Sequence, residues 1–450
     1  MTATIVLDIG KTNVKLVLLD DTGAVVAERR MANAVVRGGP YPHYDTEHIW
    51  SWLLDGLQSY ARLAYIGAIV PVTHGATAAL VDQDGLVLPV LDYEYEPPAE
   101  QVAQYAASRP AYTDTRSPQL PAGLNLGRQL AWQAHAFPAE FQRARHILMY
   151  PQYWAWRLSG VAASEVTSLG CHTDLWQPAR QQYSLLVEGM GWTALFPPLR
   201  PAWEALGDIK PELAQQTGLP ADCRILCGIH DSNASLLRHL TADTPPAVLS
   251  TGTWVIAAAP GKQLDGLCEQ ADMLANTSAL GQAVACMRFM GGREFSELAG
   301  ADATPCTLED LQALISQGTF ALPSFAGATG PFAQRTGDIR GPAPRDSRQR
   351  YALATLYCVL MSDYCLTALG VDGEVVVEGS FTGNPWFAPL LAALRPQQQV
   401  SSTDDSSGTT CGGWLLHHWG RAPASQKQIA SPLPLSGWQE YKQQWLKVLL

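Results

Sequence analysis

Apolar and polar positions follow two rhythms over the first seventy residues. TIVLDIG and VKLVLLD are apolar runs separated by the tight Lys11-Thr12-Asn13, and AVVAERR follows Asp21-Thr22-Gly23. This predicts a β-hairpin and a third strand within the first thirty residues. From Thr46 to Leu63 the period lengthens, so that Ile49, Leu53, Leu54 and Leu57 share one helical face, and YIGAIVPV after it reads as a buried strand. The order β-β-β-α-β belongs to a mixed sheet with a helix laid on it rather than to a simple doubly wound sheet.

A comparable start recurs halfway along. AVLSTGTWVIAAAPG, from Ala247 to Gly261, is again strand, Gly/Thr turn, strand, and Glu374 to Leu394 reads as strand, glycine-bearing loop, helix. Two halves that open alike predict a duplicated fold with a cleft between them. The polar, proline-ended His239 to Pro246 marks the junction. The expected division is a first domain over 1–240, a second over 245–425, and a terminal helical segment over 426–450.

Composition narrows the partners. The 450 residues are 47% hydrophobic and 16% charged, enough apolar content for a large core, and 30 Lys+Arg against 41 Asp+Glu leave a formal charge of −11. Such an acidic balance argues against nucleic acid or a polybasic membrane contact and favours a small molecule. The N-terminus lacks the basic region of a signal peptide, and no run of about 18 apolar residues is unbroken, so a cytoplasmic protein is expected. Nine cysteines, odd in number and never in CxxC spacing, read as buried small residues in a reducing compartment.

Gly10-Lys11-Thr12 resembles the end of a P-loop, but the glycine required five residues earlier is Ile5, so that reading fails. What remains is Asp8-Ile9-Gly10-Lys11-Thr12-Asn13, an acidic residue closing a strand before a turn of successive backbone N–H groups. Such a turn suits a phosphate, with the carboxylate holding Mg²⁺ through water. An ordinary hairpin turn accounts for the string equally well. Ser250-Thr251-Gly252-Thr253 carries the same ambiguity, which lessens when the two turns are taken as a pair gripping one polyphosphate. In GIHDSNAS, from Gly228 to Ser235, an apolar strand ends at His230-Asp231. Asp231 reads either as a helix cap or as a general base for a substrate hydroxyl.

These strings together resemble the FGGY-type carbohydrate kinases of the sugar kinase, actin and chaperone ATPase superfamily, over nearly the whole chain. DIGKTNVKLVLLD is similar to the family's first phosphate motif, with Lys11 where Thr, Ala or Ser is commoner. Val72-Thr73-His74-Gly75 resembles its sugar-proximal segment, followed by a hairpin over Leu80 to Leu88. GIHDSNAS resembles the catalytic Asp motif and LSTGTW the second phosphate turn, both in the form of the rhamnulose and fuculose kinase branch. Glu378-Gly379-Ser380-Phe381 and Asn384 stand where the family has a run of glycines at the adenosine site, with Phe381 expected to fill part of the purine pocket; Thr410-Cys411-Gly412-Gly413 stands at the later helix start.

The resemblance implies an α/β fold of two actin-like (ribonuclease H-like) domains, each a mixed five-stranded sheet with helices, around a central cleft. It implies ATP and Mg²⁺ as cofactors. Asp231 would be the base, Asp8 and Asp231 the metal carboxylates, and His74, Gly75, His230 and Asp231 the sugar side. Gly10, Lys11, Thr12, Asn13, Thr251, Gly252, Thr253, Gly379, Ser380, Asn384 and Gly412 would hold the nucleotide. The expected substrate is a 6-deoxy ketose such as L-rhamnulose or L-fuculose, with a pentulose such as xylulose behind it. The rival is a non-catalytic nucleotide or sugar sensor on the same fold. A homodimer is one option for the assembly. Trp254, beside the second turn, is the candidate to stack on a sugar, whereas His417-His418 and Asp404-Asp405 receive structural readings.

Overall fold

A computed structural model describes every residue except 1, 241, 243, 328, 404–407, 422–426 and 450, so the Asp404-Asp405 pair lies outside the described residues. The chain divides into two compact units: unit 1 comprises Met1–Thr241, Ala275–Ala283 and Ser407–Pro423, and unit 2 the remainder.

Unit 1 is built on β1 (Thr2–Ile9), β2 (Asn13–Leu19), β3 (Val25–Ala32), β4 (Tyr65–Thr73) and β5 (Arg224–Leu226). They lie in the order β3-β2-β1-β4-β5, the first three antiparallel and the rest parallel to β1. The short strands Ala205–Asp208 and Ile229–His230 join this core, making seven strands rather than the expected five. β1 is buried from Ala3 to Ile9, as a central strand covered on both faces must be, whereas edge strand β3 alternates. Helix α1 (Thr46–Tyr60), capped by Asp45 accepting from the His48 N–H at 3.0 Å, sets Ile49, Leu53 and Leu57 against Ile5, Leu7, Ile9 and Leu16.

The other face of β1 carries Thr4, Val6 and Asp8. It is covered by the helix Gly408–His417, which the sequence reading kept with the second half and which packs in unit 1. Thr4 Oγ1 lies 2.6 Å from Nδ1 of His417, Val6 packs under Gly413, and Asp8 is hydrogen-bonded by Thr409. Two strand residues advance about 6.6 Å and four helical residues about 6 Å, so the two series match in step. A Cβ on Gly412 would meet the Ala234 carbonyl oxygen at 2.0 Å, which is why glycine stands there.

A second apolar cluster within unit 1, including Leu80, Leu130, Trp132, Ile147 and Trp176, lies outside the sheet. The hairpin expected over Leu80 to Leu88 is reduced to a turn at Asp82–Gly85 and a single bridge from Val81 to Leu86. Strand Ala78–Val81 pairs instead with His146–Met149.

Unit 2 repeats the plan with β6 (Ala247–Thr251), β7 (Val255–Pro260), β8 (Ala283–Phe289), β9 (Val375–Gly379) and β10 (Val400–Ser402), in the order β8-β7-β6-β9-β10. Met273–Thr277 and Gln428–Ile429 extend it to seven strands. Helix α2 (Ser347–Ala368) is apolar nearly all round; it is long and apolar enough to cross a membrane, yet 78% of its most apolar window is buried here. The terminal helix, Trp438–Leu449, buries Trp438, Tyr441, Trp445 and Leu449 in this unit.

Candidate active site

In unit 1 three parallel strands end together. Asp8 is level with Val72, Ile9 with Thr73, Ile229 with Val72 and His230 with Thr73, so Asp8, His74 and Asp231 emerge side by side at the carboxyl edge of the sheet. Ligands of open α/β sheets collect at such edges.

Each group is held by identifiable bonds. The first turn closes with Gly10 N–H donating to Asn13 O at 2.9 Å, and Asn33 ties it twice, donating from Nδ2 to Gly10 O and from its backbone N–H to Thr12 O. Among the described residues the N–H groups of Lys11 and Thr12 have no acceptor, so the turn keeps open donors. Asp8 is buried, and loss of hydration pushes its carboxyl up to about 6, with Lys15 at 3.5 Å opposing and Asp231 adding to the rise.

His74 sits among the rings of Tyr44, Tyr150 and Tyr93, with centroids 5.1, 5.2 and 5.5 Å away. Burial lowers its pKa to about 4, so the imidazole is neutral near pH 7. Its Nδ1 lies 3.0 Å from Gly75 O; a carbonyl can only accept, so Nδ1 carries the proton and Nε2 is left as an acceptor. That Nε2 is buried and has no partner among the described residues.

Asp231 is the first residue of helix Asp231–Leu237, and the cap position belongs to His230. Asp231 is thus not the cap residue, although its carboxylate serves a first-turn N–H. Its Oδ1 accepts from Ser232 N–H at 2.6 Å and faces Nε2 of His230 at 3.2 Å. Burial drops His230 to about 4 as well, so it meets the carboxylate as a neutral N–H donor. The Asp231 side chain is 29% exposed, and desolvation raises its pKa against the opposing influence of His74 and Ser232. Gly75 makes room for this pair, since a Cβ there would come within 2.8 Å of His230 Nε2.

Two supports have no local sequence signal. Buried Glu165 accepts from Thr167 N–H at 2.9 Å and from its hydroxyl, and Thr167 Oγ1 accepts from the His230 N–H at 3.1 Å. Desolvation lifts Glu165 to about 8. Lys11 turns to Asp92, Glu94, Tyr44 and Tyr93, none of which its own turn announces.

In unit 2, Thr251 and Gly379 are level at the ends of parallel strands β6 and β9. The turn closes with Gly252 N–H donating to Trp254 O at 2.9 Å, and Thr251 Oγ1 donates to Glu378 O and accepts from Phe381 N–H. Gly379 has φ +85°, and a Cβ there would overlap Thr251 O. Gly252, Thr253, Ser380 and Asn384 line a cavity of about 670 Å³, together with Arg293, Phe295 and Tyr351, which sequence reasoning did not single out. Phe381 forms part of its wall, packed against Phe295 and Phe387. Asn384 is committed inward, donating to Thr355 Oγ1 at 2.9 Å. One face of Trp254 is covered by the Arg288 guanidinium 4.6 Å away, which removes that face from sugar stacking. Gly412 is not among the residues lining this cavity; it lies in unit 1.

Comparison with known proteins bears on the family and the fold. Residues 3–237 match the N-terminal domain of the FGGY family of carbohydrate kinases, and residues 243–426 match the Carbohydrate kinase FGGY, C-terminal domain. The L-fuculokinase of Salmonella typhi is 26% identical over 272 residues, a match spanning 58% of this chain and 57% of that relative. The crystal structure of a carbohydrate kinase from Novosphingobium aromaticivorans superposes with a TM-score of 0.93 at 35% identity, covering 99% of this chain and 100% of that one. A ligand-bound xylulose kinase from Lactobacillus acidophilus shares the fold, with a TM-score of 0.82 at 16% identity over 100% and 98% of the two chains. With both domain models matched in order along one chain, the protein belongs to the FGGY family of carbohydrate kinases.

Proposed function

We propose that the protein is an ATP-dependent kinase for a neutral ketose, with L-fuculose or L-rhamnulose ahead of D-xylulose. The observation that carries this reading is the pairing, at one strand edge, of a partly exposed carboxylate held by His230 and Ser232 with the bare acceptor Nε2 of His74. The L-fuculokinase relatives favour the 6-deoxy ketose within that class.

In the proposed reaction a sugar hydroxyl loses its proton to Asp231 as its oxygen bonds to the γ-phosphorus, and the bond from that phosphorus to the ADP oxygen breaks. The neutral imidazole of His74 accepts from a second hydroxyl and so orients the sugar. His230 and Ser232 fix the carboxylate, and the open N–H groups of the first turn suit phosphate oxygens. Thr251, Gly252, Thr253, Gly379, Ser380 and the cavity beside them are assigned to the nucleotide, while Gly412 is assigned to packing. Among the described residues no group of three or more His, Cys, Asp or Glu could hold a metal alone. Asp8 and Asp231 instead suit a Mg²⁺ that arrives with phosphate oxygens and water, and that ion would neutralise phosphate charge.

The test is ADP release over L-fuculose, L-rhamnulose, D-xylulose and a set of aldoses and polyols. Sugar-dependent release supports the kinase. Silence across the panel with intact ATP binding would replace it with the sensor.

A further inference from the structure

Lys11 lies in the turn expected to meet phosphate, but its side chain leaves that turn. Its ammonium is ion-paired to Asp92, lies 3.3 Å from Glu94, and sits 5.3 and 4.8 Å from the ring centroids of Tyr44 and Tyr93. Asp92 is itself anchored, accepting from Tyr44 OH at 3.3 Å and from Glu94 N–H at 3.2 Å, so the ammonium has a fixed seat. His74 packs against the same two rings, tilted to Tyr44 and edge-on to Tyr93. An ammonium has three donors; two face Asp92 and Glu94, and the third has no partner among the described residues. The Lys11 side chain keeps 19% of its surface exposed.

Resting on the kinase reading above, we propose that Lys11 is a sugar-specificity residue. Its ammonium donates to one hydroxyl of a neutral sugar while Nε2 of His74 accepts from another. The charge around it decides the class. With Asp92 and Glu94 both against it, Lys11 is already outnumbered by carboxylates, so a sugar acid meets net repulsion while a hydroxyl finds both a donor and acceptors. The two tyrosine rings supply an apolar wall for the carbon-bound hydrogens of the sugar.

The experiment compares the wild type with Lys11→Met, which keeps the stem and removes the charge, on whichever of L-fuculose, L-rhamnulose and D-xylulose the wild type phosphorylates. The expected result is a fall of about 30-fold in kcat/KM for the sugar, with KM for ATP within about threefold. An increase in KM for ATP with the sugar constants unchanged would overturn the proposal and return Lys11 to the phosphates; no change in either would also overturn it. Asp92→Asn provides an independent arm should Lys11→Met fail to fold. Releasing the ammonium from one carboxylate should move the ratio of D-gluconate to ketose turnover towards the acid by about tenfold, and an unchanged ratio counts against the assignment. A wild type inactive on every sugar would sink the kinase reading and this one with it, whereas an active wild type with an ATP-sensitive Lys11→Met sinks this one alone.

Discussion

The turn after β1 and the turn after β6 close with the same kind of bond, a glycine N–H to the carbonyl two or three residues on, both at 2.9 Å, on sheets of the same strand order. What surrounds them differs. The first is ringed by ionisable groups, Asp8, His74, His230 and Asp231, whose hydration has been stripped enough to shift each of them. The second is bounded by glycine backbone, hydroxyls and the rings of Phe295, Tyr351 and Phe381. One scaffold has thus been furnished once with buried ionisable groups and once with backbone, hydroxyls and rings. A duplicated hairpin places a site, and side chains added at strand ends determine what that site can do.

This contrast can be broken at four points. The largest effect is expected from Asp231→Asn, which keeps the shape and removes the base. Turnover in a coupled ADP assay should fall by about a thousandfold with sugar and ATP binding nearly intact, and turnover within tenfold of wild type would refute the base. Because burial holds Asp231 above the usual aspartate range, the acid limb of kcat/KM should lie above that range too. His74 and His230, at about 4, should leave no inflection near pH 6.5.

Next, Gly379→Ala tests the unit where geometry governs. Its Cβ would sit 1.9 Å from Thr251 O at φ +85°, so a loss of about 3 kcal/mol in stability is expected, with ATP affinity falling before sugar affinity. Isothermal titration with ATP would show this, and unchanged binding would mean that the turn tolerates displacement.

Glu165→Gln sharpens the other side. The folded pKa of about 8 lies above the ordinary 4.5, so the stability linked to this carboxyl is full below about 4.5 and lost as pH rises through 8. Glutamine does not titrate. Urea unfolding should therefore show the variant gaining on wild type by about 2 kcal/mol between about pH 6.5 and pH 9; parallel profiles would argue that Glu165 finds a cationic partner. The smallest effect is expected for His74→Ala, an increase of about tenfold in KM for the sugar with little change for ATP.

Local features of the chain were legible and distant ones were not. The two hairpins and α1 follow from alternation, turn residues and a 3.6-residue period within a few positions of each other. Asp8 and Asp231 stand out because each ends an apolar strand, whereas His74 stands out only through the family resemblance of Val72-Thr73-His74-Gly75. The three tyrosines around His74, the Asp92 seat of Lys11 and the Glu165–Thr167 support under His230 are joined only by folding across tens of residues, and no period or spacing encodes them. The place of helix 408–417 was missed for the same reason: Thr409, Gly413 and His417 face Thr4, Val6 and Asp8 from some four hundred positions away.

That strand-and-helix match has a consequence for biosynthesis. A ribosome that has made residues 1–240 has delivered Asp231 and every strand of the first sheet, yet one face of β1 still lacks its cover, and Asp8 its hydrogen bond from Thr409. The unit translated first is completed late, after six of the seven strands of the second sheet have emerged. Closing so long a loop is slow. The nascent chain must meanwhile keep Val6, Val72 and their neighbours from other partners, which makes a stretch of translation, rather than any step of catalysis, the time when this protein is most exposed to aggregation.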